Sequence, residues 1–110
     1  MRDAYREELD SIGDGLVEMA RLVGSAIGRA TTAILDSDLK LAEAVIEGDQ
    51  KVDDLQHDLE ARAIALLARQ QPVATDLRIV VTSLRMSADL ERSGDLAQHV
   101  AKLTRLRYPD

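Results

Sequence analysis

The chain has no cysteine, so disulfides, thiolate metal sites, thiol nucleophiles and thiol redox switching are excluded. It has no phenylalanine or tryptophan either, and its two aromatic residues, Tyr5 and Tyr108, stand near its ends. The hydrophobic 45% of its 110 residues is therefore almost wholly aliphatic. Leucine, isoleucine, valine and alanine, with few β-branched or aromatic runs, suit interlocking helices better than sheets. The longest apolar runs are only a few residues, too short to span a membrane. The opening Met1-Arg2-Asp3-Ala4-Tyr5-Arg6-Glu7-Glu8 has no hydrophobic stretch of the secretory kind, which leads to the expectation of a cytoplasmic protein. A basic face is missing as well. The formal net charge is −6, which argues against nucleic acid as the main partner, and no lysine or arginine tract marks a lipid-binding patch.

What is present is helical periodicity. Leu9, Ile12, Leu16, Met19, Val23, Ile27, Ala30 and Ile34 recur at alternating steps of three and four, an apolar seam that predicts one helix over about 5–35. Gly24 and Gly28, one turn apart on it, suggest the close approach of a neighbouring helix. Asp36-Ser37-Asp38 breaks the pattern, and Asp38 is a good N-cap for a second helix over about 39–70. Gly48-Asp49 in its middle is a candidate kink. Pro72 ends it, and a turn at Gln71-Pro72-Val73-Ala74 leads to a third helix over about 75–107, capped by Thr75 or Asp76 and stopped by Pro109. The prediction is an all-α, up-down-up three-helix bundle on the order of 45 Å long, a single unit over residues 1–110. On helix three, Ile79, Met86, Leu90 and Ala97 lie roughly opposite Leu77, Leu84 and Ala88. One core covers only one of these sets, so a homodimer or a helix-swapped pair is expected.

The polar residues carry a pattern of their own. Asp49, Asp53 and His57 fall at i, i+4 and i+8 on helix two, and Glu91, Asp95 and His99 repeat that spacing on helix three. Residues four apart are displaced by only about 40° around a helix, so each trio is a ladder on one face. Asp49 shares its register with Ala42, Val45 and Val52, while Glu91 and Asp95 continue the line of Leu77, Leu84 and Ala88. Acids that extend apolar stripes repel each other and call for a cation. Four carboxylates, with His57 and His99 as possible additional ligands, suit iron, manganese or zinc better than magnesium. The competing reading is a solvated face: in a chain with twenty acids, pairs such as Asp10/Asp14 and Glu43/Glu47 share the spacing. A third reading is a metal-free helical oligomerisation module. An enzyme, as a metal-dependent hydrolase or oxidase, is disfavoured. Glu-x-x-His pairs, a His-Glu-x-x-His motif, a Ser-His-Asp order and a glycine-rich phosphate loop are all missing.

The run Gln71-Pro72-Val73-Ala74-Thr75-Asp76-Leu77-Arg78, followed by Glu91-Arg92-Ser93-Gly94-Asp95, resembles the PhoU family of phosphate-signalling regulators. Its marks are a Q-P-x-A-x-D-L-R turn and, about a dozen residues on, E-R-x-G-D. Upstream, Asp49-Gln50-Lys51-Val52-Asp53-Asp54-Leu55 is similar to the family's D-x-x-(V/I)-D-x-L. The resemblance implies one of two tandem three-helix repeats, cut at the Pro109 linker. It implies a cytoplasmic negative regulator that links an ABC phosphate transporter to a sensor histidine kinase, meeting the membrane only through those partners. It also implies a metal cluster, iron or zinc with manganese or magnesium less favoured, on Asp49, Asp53, Glu91 and Asp95. His99 stands where many relatives have asparagine. Asp76, Arg78 and Arg92 belong to the motifs; the two arginines are expected to pair with acids on neighbouring helices. Gly94 is expected where another helix or the cluster meets the backbone.

Overall fold

The computed structural model describes residues 2–69 and 74–109. They form three helices, α1 (Arg2–Asp36), α2 (Leu39–Arg69) and α3 (Ala74–Arg107), each packed against both others. The expected turn at Gln71-Pro72-Val73 lies outside the described residues. Helices of 35, 31 and 34 residues give a body 58 × 17 × 16 Å, longer than the sequence-based expectation. Among the described residues, no helix is long and apolar enough to cross a membrane.

The α1–α2 junction follows from three polar residues. Ser37 adopts a left-handed backbone (φ 53°), and the Asp38 amide donates to the Ala33 carbonyl at 2.9 Å. This six-to-one bond satisfies one of the carbonyls orphaned at the helix end. Asp38 then caps α2: its Oδ1 accepts from the Leu41 amide at 3.0 Å, the third helical position. The chain thus reverses within two residues. Thr75 and Asp76 are not caps, because α3 already begins at Ala74. Asp76 instead lies in the first turn, where a negative charge favours the helix dipole.

Two clusters form the core. One holds Ile12, Leu16, Met19 and Val23 of α1, Val52, Leu59 and Leu66 of α2, and Val80 of α3. Tyr5 is buried with them; its hydroxyl has no hydrogen-bond partner among the described residues. Burial, then the nearby charge of Asp76, pushes that phenol above its ordinary range. The other cluster is alanine-rich (Ala30, Ala33, Ala42, Ala97 and Ala101, with Val45), and small side chains let the helices run close there.

Several expectations need correction. Ile27 is exposed, because a seven-residue repeat drifts by about 20° per heptad around a straight helix. Among the described residues, no neighbouring helix comes within 4 Å of a Cβ built on Gly24 or Gly28. Gly48 does not break α2, which continues through it. On α3 neither apolar set is the core line. Leu77, Ile79 and Met86 are exposed, while Val80, Ser87, Gly94 and Ala101, a strict heptad, are buried. This line of mostly small residues faces both neighbouring helices, and the larger Leu84 and Leu90 flank it half-buried. Ser87 Oγ donates to the Leu84 carbonyl at 2.9 Å, so its burial leaves the hydroxyl satisfied.

Candidate metal centre

Asp49 occupies a core position. It follows Val45 and precedes Val52 on the buried stripe of α2 and is only 8% exposed. Gly94 on α3 makes room for it. A Cβ on Gly94 would stand 3.3 Å from Asp49 Oδ1, 3.5 Å from Val52 Cγ1 and 3.7 Å from Val23 Cγ2. Gly94, expected where another helix or the cluster meets the backbone, stands where side chains of both α1 and α2 approach it.

Asp53, one turn along α2, and Asp95, one residue beyond Gly94, complete a group. One carboxylate oxygen from each of Asp49, Asp53 and Asp95 lies within 4.8 Å of the other two. Asp53 and Asp95 are half-buried, and Asp53 Oδ1 is buried with no hydrogen-bond partner among the described residues. Three acids this close repel one another unless protons or a cation intervene. Burial raises the Asp49 carboxyl first, the charges of Asp53 and Asp95 and a hydrogen bond with Asp95 raise it further, and Lys102 pulls it back, leaving it at about 6. Glu91 stands beside the group rather than within it. Burial raises its carboxyl, and hydrogen bonding to Asp95 and the charges of Asp95, Asp53 and Asp49 add to that. Among the described residues, no ion pair engages any of these four acids.

The histidines do not join. His57 and His99 are exposed and outside the group of three carboxylates. Eight residues along a helix carry a side chain about 80° round, so each ladder turns away from the cluster at its third rung. The arginines also depart from expectation. Arg92 reaches Asp89 on its own helix at 3.9 Å, with both side chains mostly exposed, a pairing that contributes little. Arg78 is exposed and forms no ion pair with a described residue. Sequence reasoning passed over Lys102, whose positive charge pulls the Asp49 carboxyl back down. Its signal was available: it lies one heptad beyond Asp95, on the same face.

The residues fit a metal ion. The donors are carboxylate oxygens, a hard set, and Asp53 Oδ1 is buried with no hydrogen-bond partner among the described residues, the kind of oxygen a cation would satisfy. The group can hold positive charge between α2 and α3, joining the two helices at mid-length.

Comparison with known proteins agrees with the motifs that frame the site. Residues 16–104 match the sequence profile of the PhoU domain. A Mycobacterium tuberculosis protein named phosphate-specific transport system accessory protein PhoU homolog 2 is 49% identical over 109 residues, which are 99% of this chain and 51% of that protein. PhoU homolog 1 of the same species is 42% identical over 110 residues, 100% of this chain and 50% of that protein. The Aquifex aeolicus PhoU homolog is 41% identical over 96 residues, 87% and 43% of the two chains. The chain thus spans about half the length of the curated relatives it matches. The profile runs unbroken from Leu16 on α1 to Thr104 on α3 and takes in all four acids, so this three-helix chain belongs to the PhoU domain family.

Proposed function

We propose that this chain is one three-helix repeat of an accessory regulator of phosphate-specific transport, and that its carboxylate cluster holds a metal ion. The relatives' names support the first part. The second rests on one observation, the convergence of Asp49, Asp53 and Asp95 from two helices, with a buried oxygen of Asp53 that has no hydrogen-bond partner among the described residues. In this reading Asp49, Asp53 and Asp95 bind directly and Glu91 supports Asp95 or swings in as a fourth ligand. The metal would offset the mutual repulsion of the acids and fasten α2 to α3. With the imidazoles turned away the donor set is all carboxylate, a hard set that weakens the case for zinc. The role is regulatory rather than catalytic: in the cytoplasm, the protein represses the phosphate-starvation response by linking an ABC phosphate transporter to a sensor histidine kinase. Elemental analysis of protein purified without chelator, wild type beside Asp49→Asn and Asp95→Asn, tests the metal. Stoichiometric metal lost in both variants, with helicity retained, supports it; metal-free wild type refutes it. A phosphate-responsive reporter in cells deleted for the gene tests the regulatory role, which fails if repression in high phosphate is unchanged.

A further inference from the structure

Two cations near the C-terminal end of α3 are used differently. Arg105 reaches Glu43 of α2 at 3.6 Å. Lys102, one turn earlier, is half-buried and forms no ion pair with a described residue. Its place on the helix is specific. At about 100° per residue, Lys102 lies about 20° from Asp95 on one side and about 20° from Glu91 on the other, on one line of α3. It stands about 10 Å along the axis beyond Asp95. Side chains on a helix lean toward its N-terminus, which for Lys102 is the direction of these two acids. The neighbouring helix narrows the choice of partner. Asp49 lies beside Gly94 and Glu43 beside Arg105, so Lys102 falls between these two levels of α2. Glu43 is engaged by Arg105 and Glu47 is exposed, which leaves the carboxylate cluster for Lys102 to face. Its charge is felt there, opposing the upward shift of the Asp49 carboxyl.

We propose that Lys102 is a tethered counter-ion of the carboxylate cluster: its ammonium offsets the acids when no metal is bound and competes with a metal that enters. The inference rests on the metal reading above. Three carboxylates with oxygens within 4.8 Å of one another concentrate negative charge between α2 and α3. An ammonium on a flexible four-carbon stem supplies one positive charge and keeps its hydration, because Lys102 retains part of its surface in water. A divalent ion brings two charges and ligates the oxygens directly. It takes over the acids, and the ammonium, now a like charge beside it, swings out to solvent. Lys102 thereby sets a threshold for occupancy. Metal enters only where it outcompetes a cation whose local concentration is fixed by its tether.

The probe is Mn²⁺, a hard ion suited to carboxylate oxygens, titrated into chelator-stripped protein. The ionic strength is about 0.1 M, where surface charges more than about 10 Å apart are largely screened. Lys102→Met should raise the Mn²⁺ affinity about threefold to tenfold, the order expected for removing one charge beside a partly solvated site. Lys102→Arg keeps the charge and should stay within about twofold of wild type. Lys40→Met, at an exposed position at the start of α2, changes the net charge equally and should also stay within about twofold. A second arm needs no metal. With chelator present, Lys102→Met should shift the unfolding equilibrium in urea about threefold toward the unfolded chain, and the shift should shrink in the Asp49→Asn background. Raised affinity together with that coupling supports the assignment. Unchanged affinity in Lys102→Met overturns the competition, and a metal-free cycle without coupling overturns the counter-ion. Mn²⁺ that binds none of these proteins overturns the metal reading itself and the competition with it, whatever the metal-free cycle shows.

Discussion

Gly94 of α3 lies so near Asp49 of α2 that a methyl group at position 94 would stand 3.3 Å from the Asp49 carboxylate. The two residues are one device: the acid keeps its core position because its neighbour has no side chain. Gly94→Ala therefore meets opposing effects. Helix propensity favours alanine by about 1 kcal/mol, while Asp49 must give by a few tenths of an ångström. Stability is expected to stay within roughly 1 kcal/mol of wild type, but metal retention should fall at least about tenfold, since in the proposed site the displaced oxygen would be a ligand. Chemical denaturation beside metal titration reads both quantities. Unchanged metal affinity would detach Gly94 from the site.

A second glycine has a different neighbour. A Cβ on Gly15 would come 2.5 Å from Leu59 Cδ2, and Leu59 is fully buried with little room to retreat. Gly15→Ala should destabilise the bundle by about 1–3 kcal/mol, as overpacking does. Gly48→Ala provides the contrast. That position is exposed, no other part of the described chain would stand within 4 Å of a Cβ there, and alanine should stabilise by about 1 kcal/mol. Equal effects at the two sites, read from urea midpoints, would contradict the packing.

Arg62 joins α2 to α1. Its guanidinium donates to Ser11 Oγ at 2.7 Å and to the Ser11 carbonyl at 3.4 Å, while Asp58 one turn earlier holds it at 3.3 Å. The site is half-buried, so a double-mutant cycle of Arg62→Ala with Ser11→Ala should give a coupling of roughly 1 kcal/mol. Arg62→Lys should not restore it, because an ammonium cannot reach hydroxyl and carbonyl with a planar fork. A coupling near zero would make this contact incidental.

The helices were legible because their ends carry strong local chemistry. Asp36-Ser37-Asp38 stops one helix and caps the next within three residues, and no tertiary contact has to be known to see it. The burial of Asp49 was legible too, since it shares a register with Val45 and Val52. The line of α3 that faces the core was not. Ser87, Gly94 and Ala101 carry almost no hydrophobic signal, and their burial comes from the close approach of two other helices. The histidines misled for a simpler reason: a spacing of four matches a helical turn once but is well out of phase by the second step. Gly24 and Gly28 suggested a close approach that no described residue of this chain makes.

In the metal-free protein the Asp49 carboxyl titrates at about 6 rather than its ordinary 3.8. The folded state thus keeps its proton to higher pH than the unfolded chain. Where the folded state binds more protons, stability falls as pH rises. The fall should begin near pH 4 and be complete just above pH 6, with a size of at most roughly 3 kcal/mol at about 1.4 kcal/mol per unit. Glu91, also raised, contributes in the same direction. Asp49→Asn removes the titrating group, so the difference between variant and wild type isolates this effect from the chain's many other carboxylates. With chelator present, urea denaturation at several pH values from 4 to 7 should show the variant gaining on wild type as pH rises. Bound metal reverses the trend, because ligation requires the deprotonated carboxylates and stabilisation by metal grows through the same window. A variant that tracks wild type at every pH would mean that Asp49 is hydrated in solution and that its proton plays no part in holding α2 against α3.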